Sequence, residues 1–336
     1  MGAWHSVSGS PLISPYYHMV SDESLPHVEP LYRYRTVRQF TDDVDFFLKH
    51  YRPIGLSDLL AYVNGYKPLP VRPFLLSFDD GFREMAEIVA PILKAKGVPA
   101  VFFVNSAFVD NRELCLYQKM ALLIGHLAAK PSQGLEAKLD NLFQAKGTGG
   151  NETILALRSV RYANRLVLDE AAAICGLDFE TFLASQKPYL SSAQIHGLLR
   201  DGFAIGGHSV DHPFYGDLTL EEQLRQTRQS VEFVRERFGV NYRVFAFPHS
   251  DAGVSNEFFE RVFGDGTIEA SFGTAGLLRD IRPKHFQRFS MEKSNGSARR
   301  ILAWQLARRC YRGTVRRTTA SHRQCADSNA EKLLST

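Results

Sequence analysis

The sequence predicts an α/β protein built on a parallel sheet, with a helical segment set into it, and three observations carry this reading. The apolar run Phe74-Leu75-Leu76-Ser77-Phe78 stops abruptly at Asp79-Asp80-Gly81, the pattern of a buried strand whose carboxyl end opens into a site. Residues 84–96 then follow as a helix stopped by Gly97, and Pro99-Ala100-Val101-Phe102-Phe103-Val104 reads as a second buried strand. Strand, helix and strand at this spacing form a βαβ unit, hence parallel pairing. From about 111 to 190 leucine- and alanine-rich helical segments take over with no strand candidate, after which the α/β pattern resumes.

Composition narrows the classes. A chain of 336 residues, 44% hydrophobic and 23% charged, can bury a large core in one or two domains and is neither disordered nor collagen-like. A net charge of +4 over that length gives no reason to expect a nucleic-acid partner. Cys115, Cys175, Cys310 and Cys325 form no C-x-x-C pair, which fits a reducing compartment. With no basic-then-apolar leader and no apolar run long enough to span a bilayer, the expected location is cytoplasmic. Met1-Gly2-Ala3-Trp4-His5-Ser6 matches the sparse N-myristoylation pattern, which chains often meet by chance.

Taken in order, residues 12–20 have strand-like content, with Pro15 pointing to an edge position or a strand start. His18 lies near their end and, read alone, is a partly buried histidine satisfied by backbone. Val37, Phe40, Val44, Phe47, Leu48 and Tyr51 recur at helical spacing, and a short second helix over 57–62 takes Ser57 as its cap. Beyond the helical segment come a helix at 191–200, a strand at 203–207 and a capping box, Thr219-Leu220-Glu221-Glu222, that opens a helix ended by Gly239. A strand at 244–247, a helix at 255–263 and strands at 268–272 and 285–291 complete the core. The chain thus divides into a first core part (1–110), a helical insertion or lid (111–190), a second core part (191–298) and a basic helix with a tail (299–336).

Two adjacent carboxylates repel unless one is protonated or a cation lies between them. Asp79 and Asp80 are therefore best explained by a metal on one and proton transfer at the other, the plainer alternative being an Asp-Asp-Gly turn. His208 and His212 have the spacing that puts two imidazoles on one side of a helical turn. Gly206 and Gly207 permit close backbone approach, and Pro213 ends the turn. With Asp80 as third ligand, two nitrogens and one carboxylate leave positions open, which is the donor set of a catalytic rather than a structural metal site.

Ser77-Phe78-Asp79-Asp80-Gly81, His208-Ser209-Val210-Asp211-His212-Pro213 and Phe245-Ala246-Phe247-Pro248 together resemble the first three motifs of the NodB-like polysaccharide deacetylases, family 4 carbohydrate esterases. The resemblance runs from about 12 to 312, with the helical stretch as an insertion. It implies a distorted, incomplete (β/α) barrel and hydrolysis of the N-acetyl group of an amino sugar in a bacterial surface polysaccharide or glycolipid. A divalent metal, zinc being the expected ion, would be held by Asp80, His208 and His212, with Asp79 as general base and the His249 N–H beside the oxyanion.

Ala246 stands where the family's third motif has arginine and His249 where it has tyrosine, so the arginine that orients Asp79 must come from elsewhere; Arg288 is the candidate, with a plain surface charge as the alternative. The usual C-terminal Leu-x-His motif is absent. Tyr17-His18-Met19-Val20, however, resembles the N-terminal segment of the poly-N-acetylglucosamine deacetylase branch, which makes His18 the expected general acid, with His249 and His285 as fallbacks. Two other readings stay open: the same metal site acting on a different amide or ester, and a carbohydrate-binding member of the fold without turnover.

Between Arg299 and Arg323 there are eight arginines and no acidic residue, interleaved with Ile301, Leu302, Trp304, Leu306 and Tyr311. The spacing predicts a helix packed on the core with a basic outer face: either a solvated surface, or a contact for anionic lipid at the inner face of the membrane or for a charged glycan.

Overall fold

Eight short strands pair in parallel into one sheet: β1 (Pro15–Tyr17), β2 (Leu76–Phe78), β3 (Ala100–Val104), β4 (Ala204–Gly207), β5 (Val244–Ala246), β6 (Ala270–Gly273), β7 (His285–Gln287) and β8 (Phe289–Ser290). Their order across the sheet is β7-β6-β5-β4-β3-β2-β1-β8. The two outer members are consecutive pieces of one segment, so the same stretch of chain pairs with β6 on one side and β1 on the other. The sheet thereby curls into a nearly closed barrel wrapped by helices. The computed structural model describes residues 12–147, 152–314, 319–320 and 322. The myristoylation pattern at 1–6 and most of the expected tail lie outside them.

The expected single strand at 285–291 breaks at Arg288. The Arg288 N–H still bonds Gly273 O at 3.1 Å, but the next N–H, that of Phe289, turns to Ser14 O at 3.0 Å. Arg288 therefore marks the hand-over that closes the barrel. Pro15 does begin its strand, but β1 lies between β2 and β8 rather than at an edge; the missing N–H is tolerated because it falls at the strand's first residue. The second helix runs Leu56–Val63, and its N-cap is Gly55, not Ser57. Asp58 Oδ2, three residues on, accepts the Gly55 N–H at 3.1 Å, which leaves Ser57 within the first turn.

Side chains of β3 alternate. Phe102 and Val104 pack with Phe40, Phe78 and Val89 in one cluster, while Val101 and Phe103 join Leu75, Val244 and Phe272 in another. Gly206 and Gly207 are required by this packing. A Cβ on Gly206 would lie 2.5 Å from the Phe103 ring, and one on Gly207 would lie 2.9 Å from Ser230 Oγ on the helix Leu220–Phe238. Gly206→Ala is expected to cost about 1–3 kcal/mol through overpacking, measurable as a lower urea midpoint; an unchanged midpoint would mean the ring yields freely.

Between the two halves of the barrel, helices Leu116–Ala129, Gln133–Ala145, Thr153–Ser159, Val167–Cys175 and Phe179–Gln186 bury Leu123, Leu139, Phe143, Leu157 and Leu168 in a cluster of their own. Stacked rings of Phe82, Tyr189 and Phe108 belong to the same cluster and link it to the barrel.

The C-terminal helix Ala298–Thr314 buries Ile301, Leu302 and Leu306. Its outer face is not purely basic. Arg309 is buried and donates to Leu277 O, whereas Trp304 and Tyr311 are exposed, with the Arg308 guanidinium 5.3 Å from the Trp304 ring. A basic side chain satisfied by a barrel carbonyl has taken an inward position that spacing assigns to an apolar one. Among the described residues no helix is long and apolar enough to cross a membrane.

Candidate active site

β1 and β2 end in register, with the Asp79 N–H donating to Tyr17 O at 3.0 Å, and the chain then turns left-handed at Asp80 (φ 69°) and Gly81 (φ 66°). Asp79 is buried. Arg288, fully buried within the barrel, grips it with both arms, Nη1 to Oδ1 at 2.7 Å and Nη2 to Oδ2 at 2.8 Å, and Nη1 also donates to Ser77 Oγ at 3.0 Å. The guanidinium lies 4.6 Å from the Tyr16 ring and 5.3 Å from that of Phe103. This position excludes the surface-charge reading of Arg288. Burial alone would raise the Asp79 carboxyl, but the charge and hydrogen bonds of the Arg288 guanidinium outweigh it and hold it below the usual carboxylate range.

His208 and His212 do not share a helical turn. They sit on an irregular loop after β4 in which Ser209 (φ 67°) and His212 (φ 63°) are left-handed. Ser209 Oγ accepts the His212 N–H at 2.9 Å, and Gln226 Oε1 accepts the Val210 N–H at 2.8 Å, so the loop is held by side chains rather than by helical bonds. The imidazoles nevertheless converge: His208 Nε2 is 3.4 Å and His212 Nε2 3.0 Å from Asp80 Oδ1. His208 Nδ1 lies 2.8 Å from Ala246 O, which fixes the proton on Nδ1 and turns a lone pair at Nε2 toward the carboxylate.

Asp80 Oδ1 itself is buried without a hydrogen-bond donor. The His208 lone pair aimed at an orphaned carboxylate oxygen is repulsive unless a cation lies between them, and His212 Nε2 converges on the same oxygen, so these three residues fit a divalent ion. Asp80, His212 and also His249 (φ 55°) are non-glycine residues in the left-handed region, a backbone cost of about 1–3 kcal/mol each that concentrates at this site.

Above them opens a cleft of about 490 Å³ lined by residues including His18, Tyr32, Asp80, Tyr117, His212, His249 and Glu292. His18 Nδ1 is 2.5 Å from Glu292 Oε2, and Glu292 Oε1 accepts the N–H groups of His18 (2.9 Å) and Met19 (2.8 Å). Burial would depress the His18 imidazole, yet the charge and hydrogen bond of Glu292, helped by Asp80 and Asp79, carry it up to about 9. His249 goes the other way: burial holds its ring well below the ordinary value. Its N–H has no acceptor among the described residues. The Tyr117 ring, from the helical insertion, meets His249 edge-on at 4.7 Å and His212 at 5.8 Å, so the insertion supplies a wall of the cleft.

His285 does not reach the cleft. It is bound to Ser271 Oγ at 2.7 Å and Asp251 Oδ2 at 3.1 Å, which removes it as a fallback acid. Sequence reasoning missed Glu292, although the strand expected at 285–291 delivers the chain to it, just as the strand before Asp79 does. Tyr117 gave no such signal.

Residues 66–139 and 170–260 match the sequence model described as polysaccharide deacetylase, and the gap at 140–169 falls within the insertion. Poly-β-1,6-N-acetyl-D-glucosamine N-deacetylase of Escherichia coli strain K12 is 25% identical over 236 residues, 69% of this chain and 30% of that protein. The chain thus spans under a third of the length of the curated relatives it matches. Several solved structures share the fold, three of them as follows. Streptococcus pyogenes deacetylase PplD in complex with acetate has a TM-score of 0.55 at 11% identity, covering 87% of this chain and 96% of that one. IcaB from Ammonifex degensii has 0.55 at 16%, covering 89% and 98%, and a de-N-acetylase from Aggregatibacter actinomycetemcomitans has 0.53 at 15%, covering 86% and 98%.

Proposed function

We propose, from the premise that this chain belongs to the polysaccharide deacetylase family, that it removes acetyl groups from an N-acetylated amino-sugar polymer with a bound divalent cation. The observation that carries the reading is the meeting of Asp80, His208 and His212 directly beside an Asp79 held by Arg288. A divalent ion held by Asp80, His208 and His212, zinc by the donor set, would polarise an amide carbonyl and acidify water next to Asp79.

The remaining work falls to the protein. Asp79, kept ionised by Arg288, takes the proton of the attacking water as its oxygen bonds to the carbonyl carbon. The His249 N–H, free of other acceptors, steadies the oxyanion that develops there. His18 is protonated at neutral pH, and with Nδ1 engaged by Glu292 it uses Nε2–H to protonate the departing amine as the C–N bond breaks. Acetate and a free amino sugar leave. His249, neutral in its pocket, has no proton to give as an acid and serves through its backbone.

The test is acetate release from β-1,6-linked N-acetylglucosamine oligomers, with and without a chelator, alongside metal content. Release that chelation stops and zinc restores is the expected result. Bound metal at the Asp80 site without acetate release from any N-acetylated glycan would sink the substrate assignment and favour another amide or ester.

A further inference from the structure

A second group of ligating side chains lies outside this cleft. Asp251, Asp280, His285 and His322 each offer an atom within 4.8 Å of all the others. His285 Nε2 stands 3.1 Å from Asp251 Oδ2 and 3.9 Å from Asp280 Oδ2. His322 Nε2 stands 3.2 Å from Asp280 Oδ2 and 4.0 Å from Asp251 Oδ2. Bonds of ~2.0–2.2 Å to a tetrahedral ion set neighbouring ligand atoms about 3.3–3.6 Å apart, so the observed spacings straddle what a shared cation imposes.

The surroundings aim these atoms inward. Each carboxylate is anchored through its Oδ1: Asp251 Oδ1 accepts the Thr274 N–H at 3.2 Å, and Asp280 Oδ1 accepts that of Arg282 at 3.0 Å. Gln287 cannot flip, because its Oε1 accepts the Ala275 N–H at 2.7 Å. Its Nε2 therefore donates to both Oδ2 atoms, at 2.7 and 3.0 Å, and also lies 3.1 Å from His285 Nε2, so three of the four ligand atoms already gather around one amide nitrogen. On the far side of His285, Ser271 Oγ lies 2.7 Å from Nδ1, a hydroxyl that accepts the Nδ1 proton in the tautomer whose Nε2 is the ligand atom.

Charge supplies the reason for a cation. Both carboxylates are more than nine-tenths buried, and among the described residues neither has a lysine or arginine side chain within ion-pair distance. The Phe259 ring packs 4.9 Å from His285 and 4.4 Å from His322 and covers one side of both imidazoles. Two buried negative charges call for two positive ones, and one divalent ion provides them with both imidazoles neutral. A cavity of about 250 Å³, lined in part by Asp280, His285 and Gln287, gives it a route in. His322 reaches the group because Thr319–Ala320 pairs in parallel with Arg279–Asp280.

We propose that Asp251, Asp280, His285 and His322 bind a divalent first-row cation, zinc by donor set, in a closed four-ligand structural site that fastens His322 and the Thr319–Ala320 strand to the barrel. This does not depend on the deacetylase reading. The test is to strip the full chain with a chelator, titrate it with Zn²⁺, and count bound metal after desalting. Wild type is expected to hold one more equivalent than either His322→Ala or Asp280→Asn, while Asp80→Ala keeps that equivalent. Zn²⁺ should also raise the melting temperature of Asp80→Ala, and this shift should vanish in Asp80→Ala/His322→Ala. Retention of the wild-type count by both His322→Ala and Asp280→Asn, or a metal-free Asp80→Ala, would overturn the proposal. Neither result bears on acetate release, so the two readings fail separately.

Discussion

Replacing Arg288 with methionine is expected to destabilise the chain by about 3–5 kcal/mol, the usual consequence of removing one partner of a buried ion pair. It should also remove most of the ~10²–10⁴-fold that a positioned base supplies. Arg288 is fully buried, and both its arms are spent on Asp79. In the variant that buried carboxylate loses its largest counter-charge, and burial raises its pKa.

The pH dependence therefore changes sign. In the wild type the folded pKa lies below the unfolded one of about 4, so Asp79 contributes stability above that value and loses it as pH falls through the lower folded value. In Arg288→Met the folded pKa lies higher, and the penalty grows as pH rises through the unfolded value. Urea unfolding at pH 7 and pH 4 measures this, and the gap between wild type and variant should narrow in acid. Asp79→Leu/Arg288→Met, with both charges gone, should regain much of the stability but none of the turnover. An Arg288→Met midpoint equal to wild type at pH 7 would remove the pair from any structural account of the barrel.

What the sequence disclosed, it disclosed through contrast. An apolar run ending at Asp79-Asp80-Gly81 and a Gly-Gly-His after a short strand both announce strand ends, because burial stops abruptly there. The βαβ spacing disclosed parallel pairing, while the barrel was implied only by the resemblance of the motifs, and the order of its strands comes from the structure. The loop at 208–213 was misjudged because i, i+4 spacing fits a helical turn, whereas the left-handed residues Ser209 and His212 bring the same imidazoles together through side-chain bonds that no periodicity records. The break at Arg288 was hidden for a similar reason: residues 285–291 have strand content throughout, and only barrel closure divides them between two partners. His18 and Glu292 are 274 positions apart. Such a pair becomes visible only when β1 and β8 lie side by side.

That pairing sets the second large effect. His18→Ala is expected to keep its metal at the Asp80 site yet lose ~10²–10⁴ in turnover, the range of general acid catalysis. Glu292→Gln separates the proton from the ring. The groups around His18 are Glu292, Asp79 and Asp80, which favour its charged form, with the Tyr16 and Tyr32 rings packed at 5.3 and 5.4 Å. Of these, Glu292 is the largest influence opposing burial. A pKa of about 9 keeps the acid protonated through neutral pH, so activity should fall only as pH rises through that value.

Without the carboxylate the pKa should drop to the ordinary ~6.5 or lower, which at pH 8 reduces the protonated fraction roughly 30-fold and moves the alkaline limb of kcat down by about 2.5 pH units or more. Lowering the pH to 6 should restore much of the Glu292→Gln rate but none of the His18→Ala rate. The same linkage carries stability in the same direction: the raised folded pKa contributes in full below the unfolded value of about 6.5 and is lost as pH rises through about 9. The wild type should therefore lose part of its stability over that interval, and Glu292→Gln should not. If Glu292→Gln retains the wild-type alkaline limb, the proton on the departing amine comes from another group, and the role assigned to His18 is wrong.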